Sequence, residues 1–133
     1  YAVEFFHGYT YSGHPMAAAV GNAALDILQE EGMIERSAAL EPVLSEGIHA
    51  LRGQNGIFDI RNFGLAAGLD LEPIPGQVGL RGMRVFEEGL KQGLLLRFTG
   101  DTIAVGPPFI STPEEITQMC ETLSKCIARV MNA

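Results

Sequence analysis

The nine residues His7-Gly8-Tyr9-Thr10-Tyr11-Ser12-Gly13-His14-Pro15 run directly into an alanine-rich stretch from Met16 to Leu28, and this junction constrains the chain more than any other segment. Gly8 and Gly13 permit backbone angles that a β-carbon forbids, and Pro15 has the fixed φ and missing amide hydrogen that suit a first helical turn. The segment therefore predicts a tight turn feeding a helix from Pro15 to Glu30. Two hydroxyls and free backbone amides converge where the helix dipole is positive, an arrangement that suits an anion such as phosphate. Read from spacing alone, a loop of this kind is usually only a turn and a cap. His7 and His14 are expected to make structural hydrogen bonds rather than move protons, because no carboxylate is paired with either.

Beyond Gly32, which stops the first helix, the periodicity predicts a second helix over about Ser37 to Arg52. Leu40, Val43, Leu44, Ile48 and Leu51 form its core stripe, and His49 is expected to be partly exposed. Ile57 to Glu72 reads as a strand, or two strand segments, bent near Gly64 and Gly68. A loop from Pro73 to Gly79 leads into a helix over Gly82 to Gly93, with Met83, Val85, Phe86 and Leu90 inward. Two short strands follow, Leu94 to Phe98 and Thr102 to Val105, joined as a hairpin through Thr99-Gly100-Asp101. Thr112-Pro113-Glu114-Glu115 is a helix start of the capping-box type, placing Ile116, Met119, Cys120, Leu123, Ile127 and Val130 on one face. Asp59 and Arg61 read as structural, in buried or strand-end hydrogen bonds, and Asp101 as shaping its turn.

With 133 residues, 47% of them hydrophobic, the chain can bury one core and needs no second domain. A net charge of −7 and a pI near 4.8, with no basic cluster, argue against a nucleic-acid surface. No apolar stretch approaches the roughly 20 residues that span a bilayer, so a soluble protein is expected; the cytoplasm is the expected compartment, although the absence of an export signal does not itself decide it. Cys120 and Cys126 stand about 9 Å apart along one helix at about 1.5 Å of rise per residue, beyond disulfide reach, and no histidine completes a metal set with them. Arg97 interrupts the apolar run Leu94-Leu95-Leu96 just before the hairpin. A guanidinium there can clamp a carboxylate in two parallel hydrogen bonds, or be an ordinary edge-strand arginine.

The segment from His7 to Pro15 resembles the start of the C-terminal small domain of class III (omega) aminotransferases. The likeness continues through Asp59-Ile60-Arg61-Asn62-Phe63-Gly64-Leu65-Ala66, and through Leu96-Arg97-Phe98-Thr99-Gly100-Asp101-Thr102-Ile103 to Gly106-Pro107-Pro108. It is closest in wording to the branch that moves amino groups from omega-amino acids such as β-alanine to pyruvate; Asn62 departs from the glycine that many members carry. The resemblance implies an α+β fold, the small domain of a fold-type I pyridoxal-phosphate enzyme, in which a short, mainly antiparallel sheet is covered by helices. It implies that Thr10, with Tyr9 beside it, contacts the cofactor phosphate across a homodimer or tetramer interface. It places Arg97 at the position that binds the substrate carboxylate and swings aside for uncharged substrates.

A pyridoxal enzyme also needs a lysine to carry the cofactor and a carboxylate on the pyridine nitrogen. The two lysines here, Lys91 and Lys125, lack the family's lysine context. Residues 1–133 are therefore expected to be a C-terminal fragment, inactive alone, whose catalytic lysine lies in an absent large domain. Small-molecule partners are expected, an amino donor and pyruvate, with no nucleic acid and no membrane. Two alternatives share these residues: another class III enzyme (an aminomutase, decarboxylase or racemase), or a non-catalytic dimerisation module.

Overall fold

The computed structural model describes residues 8–132, which hold four helices and four strands. The chain divides into two units, Tyr1–Ile34 and Glu35–Ala133. In the first, helix α1 spans Pro15–Glu30, as the turn and proline foretell, and Gly32 follows at φ 59°. No residue of α1 is buried; Met16, Val20, Leu25 and Ile27 all face out.

The second unit carries the core. Helix α2 spans Met33–His49, starting four residues before the expected Ser37, and Leu40, Leu44, Ile48 and Leu51 are buried as the stripe requires. Strand β1 (Ile57–Phe63) turns through Gly64, at φ 54°, into β2 (Ala66–Leu71), so the glycine-rich stretch is a hairpin. Gly68 is no bend: it sits inside β2 opposite Arg61. Helix α3 spans Leu80–Lys91, and the pair β3 (Arg97–Thr99) and β4 (Thr102–Val105) closes a four-stranded antiparallel sheet in the order β1-β2-β4-β3. Helix α4 (Pro113–Met131) opens with the expected capping box: Thr112 Oγ1 accepts from Glu115 N, and Glu115 Oε2 accepts from Thr112 N.

Alternation in the strands sorts the sheet into two faces. Ile60, Leu69 and Ile103 stand in register and are buried, continuing to half-buried Phe98, and this face packs with Leu44, Ile48, Leu123 and Ile127 into one cluster. Burying such aliphatic side chains stabilises the fold by roughly 1.5–3 kcal/mol each. The opposite face is open.

Three expectations need correction. In α3 the inward residues are Gly82, Val85 and Gly89, whereas Met83 and Leu90 are 37% and 49% exposed. The two glycines form the close-packing stripe: a β-carbon at Gly89 would stand 2.9 Å from the Leu94 carbonyl oxygen, and one at Gly82 would collide with that of Gly100. Strand β3 begins at Arg97 rather than Leu94, because the Leu94 N–H donates to Gly89 O (2.8 Å) and closes the end of α3 instead of entering the ladder. Of the two settings expected for Asp59 and Arg61, the buried one falls: both are exposed on the open face, where they do make structural hydrogen bonds.

Cys120 and Cys126 are buried free thiols, each with its pKa pushed up by burial. Among the described residues no group of His, Cys, Asp or Glu could hold a metal ion, and no helix is long and apolar enough to cross a membrane.

Candidate functional site

In the first unit, residues 10–13 form the turn before α1, with the Ser12 N–H donating to Tyr9 O (3.4 Å) and the His14 N–H to Tyr11 O (3.1 Å). Gly13 takes φ 76°, a conformation that disfavours any side chain. His14 is the N-cap: its Nδ1 accepts from Ala17 N at 3.4 Å, so one helix amide is already engaged, as the structural reading of this histidine anticipates. Tyr9 is 73% exposed and Thr10 is exposed, and the Thr10 hydroxyl has no hydrogen-bond partner among the described residues. His7 lies outside the described residues.

In the second unit, the open sheet face carries the charged residues. The register aligns Arg61 with Gly68, Gly68 with Ala104, and Ala104 with Arg97, so both arginines leave the same face from one cross-strand row. Asp59 faces Asp70 in the next row. Directly opposed like charges destabilise a sheet. Arg61 relieves this by donating to both: Nη1 to Asp70 Oδ2 (2.6 Å), Nη2 to Asp70 Oδ1 (3.1 Å) and Nη1 to Asp59 Oδ2 (3.3 Å). The guanidinium lies over Gly68, its Cζ, Nε and Nη2 all 3.5 Å from where a β-carbon would stand, the distance of ordinary van der Waals contact. Thr102 Oγ1 adds a hydrogen bond to Asp70 Oδ1 at 2.7 Å. The hydrogen bonds from Arg61, then that from Thr102, hold the Asp70 carboxyl below the usual carboxylate range against an opposing push from desolvation.

Arg97 has none of this. Exposed on an edge strand opposite Ala104, its guanidinium makes no ion pair or side-chain hydrogen bond among the described residues.

Behind the sheet, Asn62 Oδ1 lies 2.9 Å from His49 Nε2 and accepts from Ser45 Oγ (3.4 Å). Arg52 Nη2 stands 3.2 Å from His49 Nδ1 and can only donate, which assigns the His49 proton to Nε2. A further joint had no clear signal in the sequence. The Asp101 carboxylate accepts backbone N–H bonds from Gly79 (2.7 Å), Arg81 (3.1 Å) and Gly82 (3.1 Å), capping α3 from a different hairpin. The available hint was that α3 has no acidic residue in its first turn and a glycine at its N-cap, leaving its amides without an acceptor of their own.

The family Aminotransferase class-III matches residues 2–127. The chain belongs to that family. As a class-III aminotransferase chain it is 44% identical over 128 residues to an omega-aminotransferase of Caulobacter vibrioides, covering 96% of this chain and 29% of that protein. It is 43% identical over 130 residues to a beta-alanine–pyruvate aminotransferase of Pseudomonas aeruginosa, covering 96% of this chain and 28% of the relative. An omega transaminase from Pseudomonas jessenii, solved in complex with PMP, superposes with a TM-score of 0.86 at 28% identity, over 95% of this chain and 29% of that one. The α+β fold expected from the motifs is that of these transaminases. The chain spans less than a third of the length of the relatives it matches.

Proposed function

We propose that this chain is the C-terminal part of a pyridoxal-phosphate-dependent aminotransferase that moves an amino group from an omega-amino acid or amine, such as β-alanine, to pyruvate. The reading is carried by its relatedness, over nearly its whole length, to proteins named for that transfer. The guanidinium of Arg97 supports it, since an arginine that pairs with no carboxylate among the described residues is available to take a substrate's.

The donor groups suit one part of the cofactor and not another. Thr10 offers an exposed, unengaged hydroxyl beside the positive end of α1, which fits a phosphate; Tyr9 stands next to it. Lys91 pairs with Glu88 (3.5 Å) and Lys125 with Glu121 (4.0 Å), both on exposed helix surfaces, so neither is a candidate to carry the cofactor covalently. That lysine belongs to a large domain outside residues 1–133, and the 133-residue chain alone has no transaminase activity and does not retain the cofactor. When bound, pyridoxal phosphate supplies the electron sink for the amino-bearing carbon. In that setting Thr10 donates a hydrogen bond to the phosphate held by the other subunit of a homodimer or tetramer, fixing the ring's position. Arg97 binds the carboxylate of the omega-amino acid or of pyruvate and yields when the substrate has none. The exposed apolar residues of α1 are consistent with a helix covered in the longer, oligomeric protein. The cytoplasm is the expected compartment.

Replacing Thr10 tests the assignment in the full-length enzyme. Thr10→Ala removes one hydrogen bond to a charged acceptor, worth roughly 1.5–3 kcal/mol, so cofactor affinity should fall by about ten- to a hundredfold or slightly more. Dialysis titration reads this directly; undiminished retention would show that Thr10 does not hold the phosphate.

A further inference from the structure

We infer that Asp101 is a positioning residue for Arg97, fixing where the guanidinium starts without touching it. The inference rests on the carboxylate-binding role proposed for Arg97. Strand β3 has three residues, lies at the sheet edge, and is hydrogen-bonded to β4 alone. An edge strand this short does not define its own direction. With no ion pair among the described residues to orient Arg97, the position of its guanidinium depends on what holds the two ends of the strand.

Both ends are held on α3. At the leading end, the Leu94 N–H donates to Gly89 O (2.8 Å), and the Leu96 side chain packs where Gly89 lacks one. Phe98 places its ring 5.3 Å from that of Phe86. At the trailing end the turn Gly100-Asp101 meets the start of α3, where three backbone N–H groups have no acceptor in their own helix and donate instead to the Asp101 carboxylate. A carboxylate is the favoured partner there, because the helix dipole adds to the hydrogen bonds. The same residue's carbonyl accepts from Leu71 N (2.9 Å), so Asp101 joins the end of β2, the β3–β4 turn and the helix. Gly82 makes the approach possible, since a β-carbon there would meet Gly100 O and stand 3.2 Å from Asp101 Cα. Loss of the carboxylate frees the trailing end of the hairpin while leaving the leading end and the core in place. Arg97 then departs from a shifted backbone.

The test compares Asp101→Ala, Asp101→Asn and Gly82→Ala in the full-length holoenzyme, each with and without Arg97→Ala, using β-alanine and a carboxylate-free aromatic amine as donors. A small misplacement of a binding group costs on the order of tenfold or more. Asp101→Ala should therefore lower kcat/KM for β-alanine about tenfold, mostly through KM, while the aromatic amine changes little. Asp101→Asn, which keeps one acceptor oxygen, should recover part of the loss. In the Arg97→Ala background the ratio between the donors should not move further. Equal losses for the two donors, or an additional change of the ratio in that background, would overturn the proposal. If Arg97→Ala lowers the ratio and Asp101→Ala does not, the Asp101 role alone falls; if Arg97→Ala leaves the ratio unchanged, both roles fall together. Gly82→Ala opens the same joint from the helix side, so the comparison stands even if Asp101→Ala does not fold.

Discussion

At the β1–β2 end of the open sheet face, Arg61 is gripped by two carboxylates; at the β3 edge of the same face, in the same cross-strand row, Arg97 has no partner among the described residues. The two side chains are chemically identical and both are exposed. Their neighbours differ. Arg61 lies over Gly68 and reaches Asp70, whereas Arg97 faces Ala104 and makes no ion pair among the described residues. Exposed ion pairs contribute little net stability, so the service of Arg61 is to make the opposed Asp59 and Asp70 compatible with the sheet. An unpaired guanidinium in water costs little, so Arg97 is an available charge rather than a defect.

The largest expected effect follows from removing the free arginine. Arg97→Ala in the full-length enzyme should lower kcat/KM for β-alanine and pyruvate by on the order of a hundredfold, because a charge-assisted bidentate contact is lost. A carboxylate-free aromatic amine should lose far less in its half-reaction. Equal losses for both donors, accompanied by a lower melting temperature, would mean that Arg97 only holds its hairpin and that the contrast with Arg61 has no functional content.

A smaller effect should come from making Arg97 resemble Arg61. Ala104 is exposed and directly opposite, so Ala104→Asp places a carboxylate beside the guanidinium. Exposed pairs are worth roughly 0.2–1 kcal/mol, which predicts a rise in the KM for β-alanine of up to about fivefold. High salt should erase much of it. An unchanged KM at low salt would show that Arg97 does not reach across to its neighbour.

Much of this was legible in the chain because it is written locally. Pro15 and the alanine run give α1, Thr112 to Glu115 give the start of α4, and the stripes in α2 and α4 give the core. The motif around Arg97 led to the family without any contact being known. What periodicity could not resolve was set by distant partners. Met83 and Leu90 look like core by spacing, yet Gly82 and Gly89, each just before one of them, let α3 turn its small side toward Gly100 and Leu96. Asp101 reads as a turn former, and its carboxylate serves a helix some twenty residues earlier in the chain, as the bond to Arg81 N shows. Asp59 and Arg61 read as structural, in buried or strand-end hydrogen bonds, but acquire their partner only when the register brings Asp70 opposite Asp59.

The subtlest test concerns the gripped arginine. The Asp70 carboxyl is held below its ordinary pKa of about 3.9 by the hydrogen bonds from Arg61 first and Thr102 second, while desolvation pulls the other way. A carboxylate whose folded pKa lies below its unfolded value adds stability that is fully present above the unfolded value and is lost as pH falls through the folded one. This contribution is therefore constant at neutral pH and disappears only in acid, below about pH 4. Arg61 itself stays protonated throughout and adds no step of its own. Carboxyl-carbon NMR should find Asp70 titrating below the ordinary aspartate range. In Arg61→Ala the Asp70 midpoint should rise, since the first cause is gone and the opposed Asp59 is no longer screened, and the fall in stability should be small. Selectivity between β-alanine and the aromatic amine should not change. A shift in selectivity on Arg61→Ala would make both arginines parts of one substrate-binding surface; an unmoved Asp70 midpoint would mean that Thr102, rather than the guanidinium, sets that carboxylate's acidity.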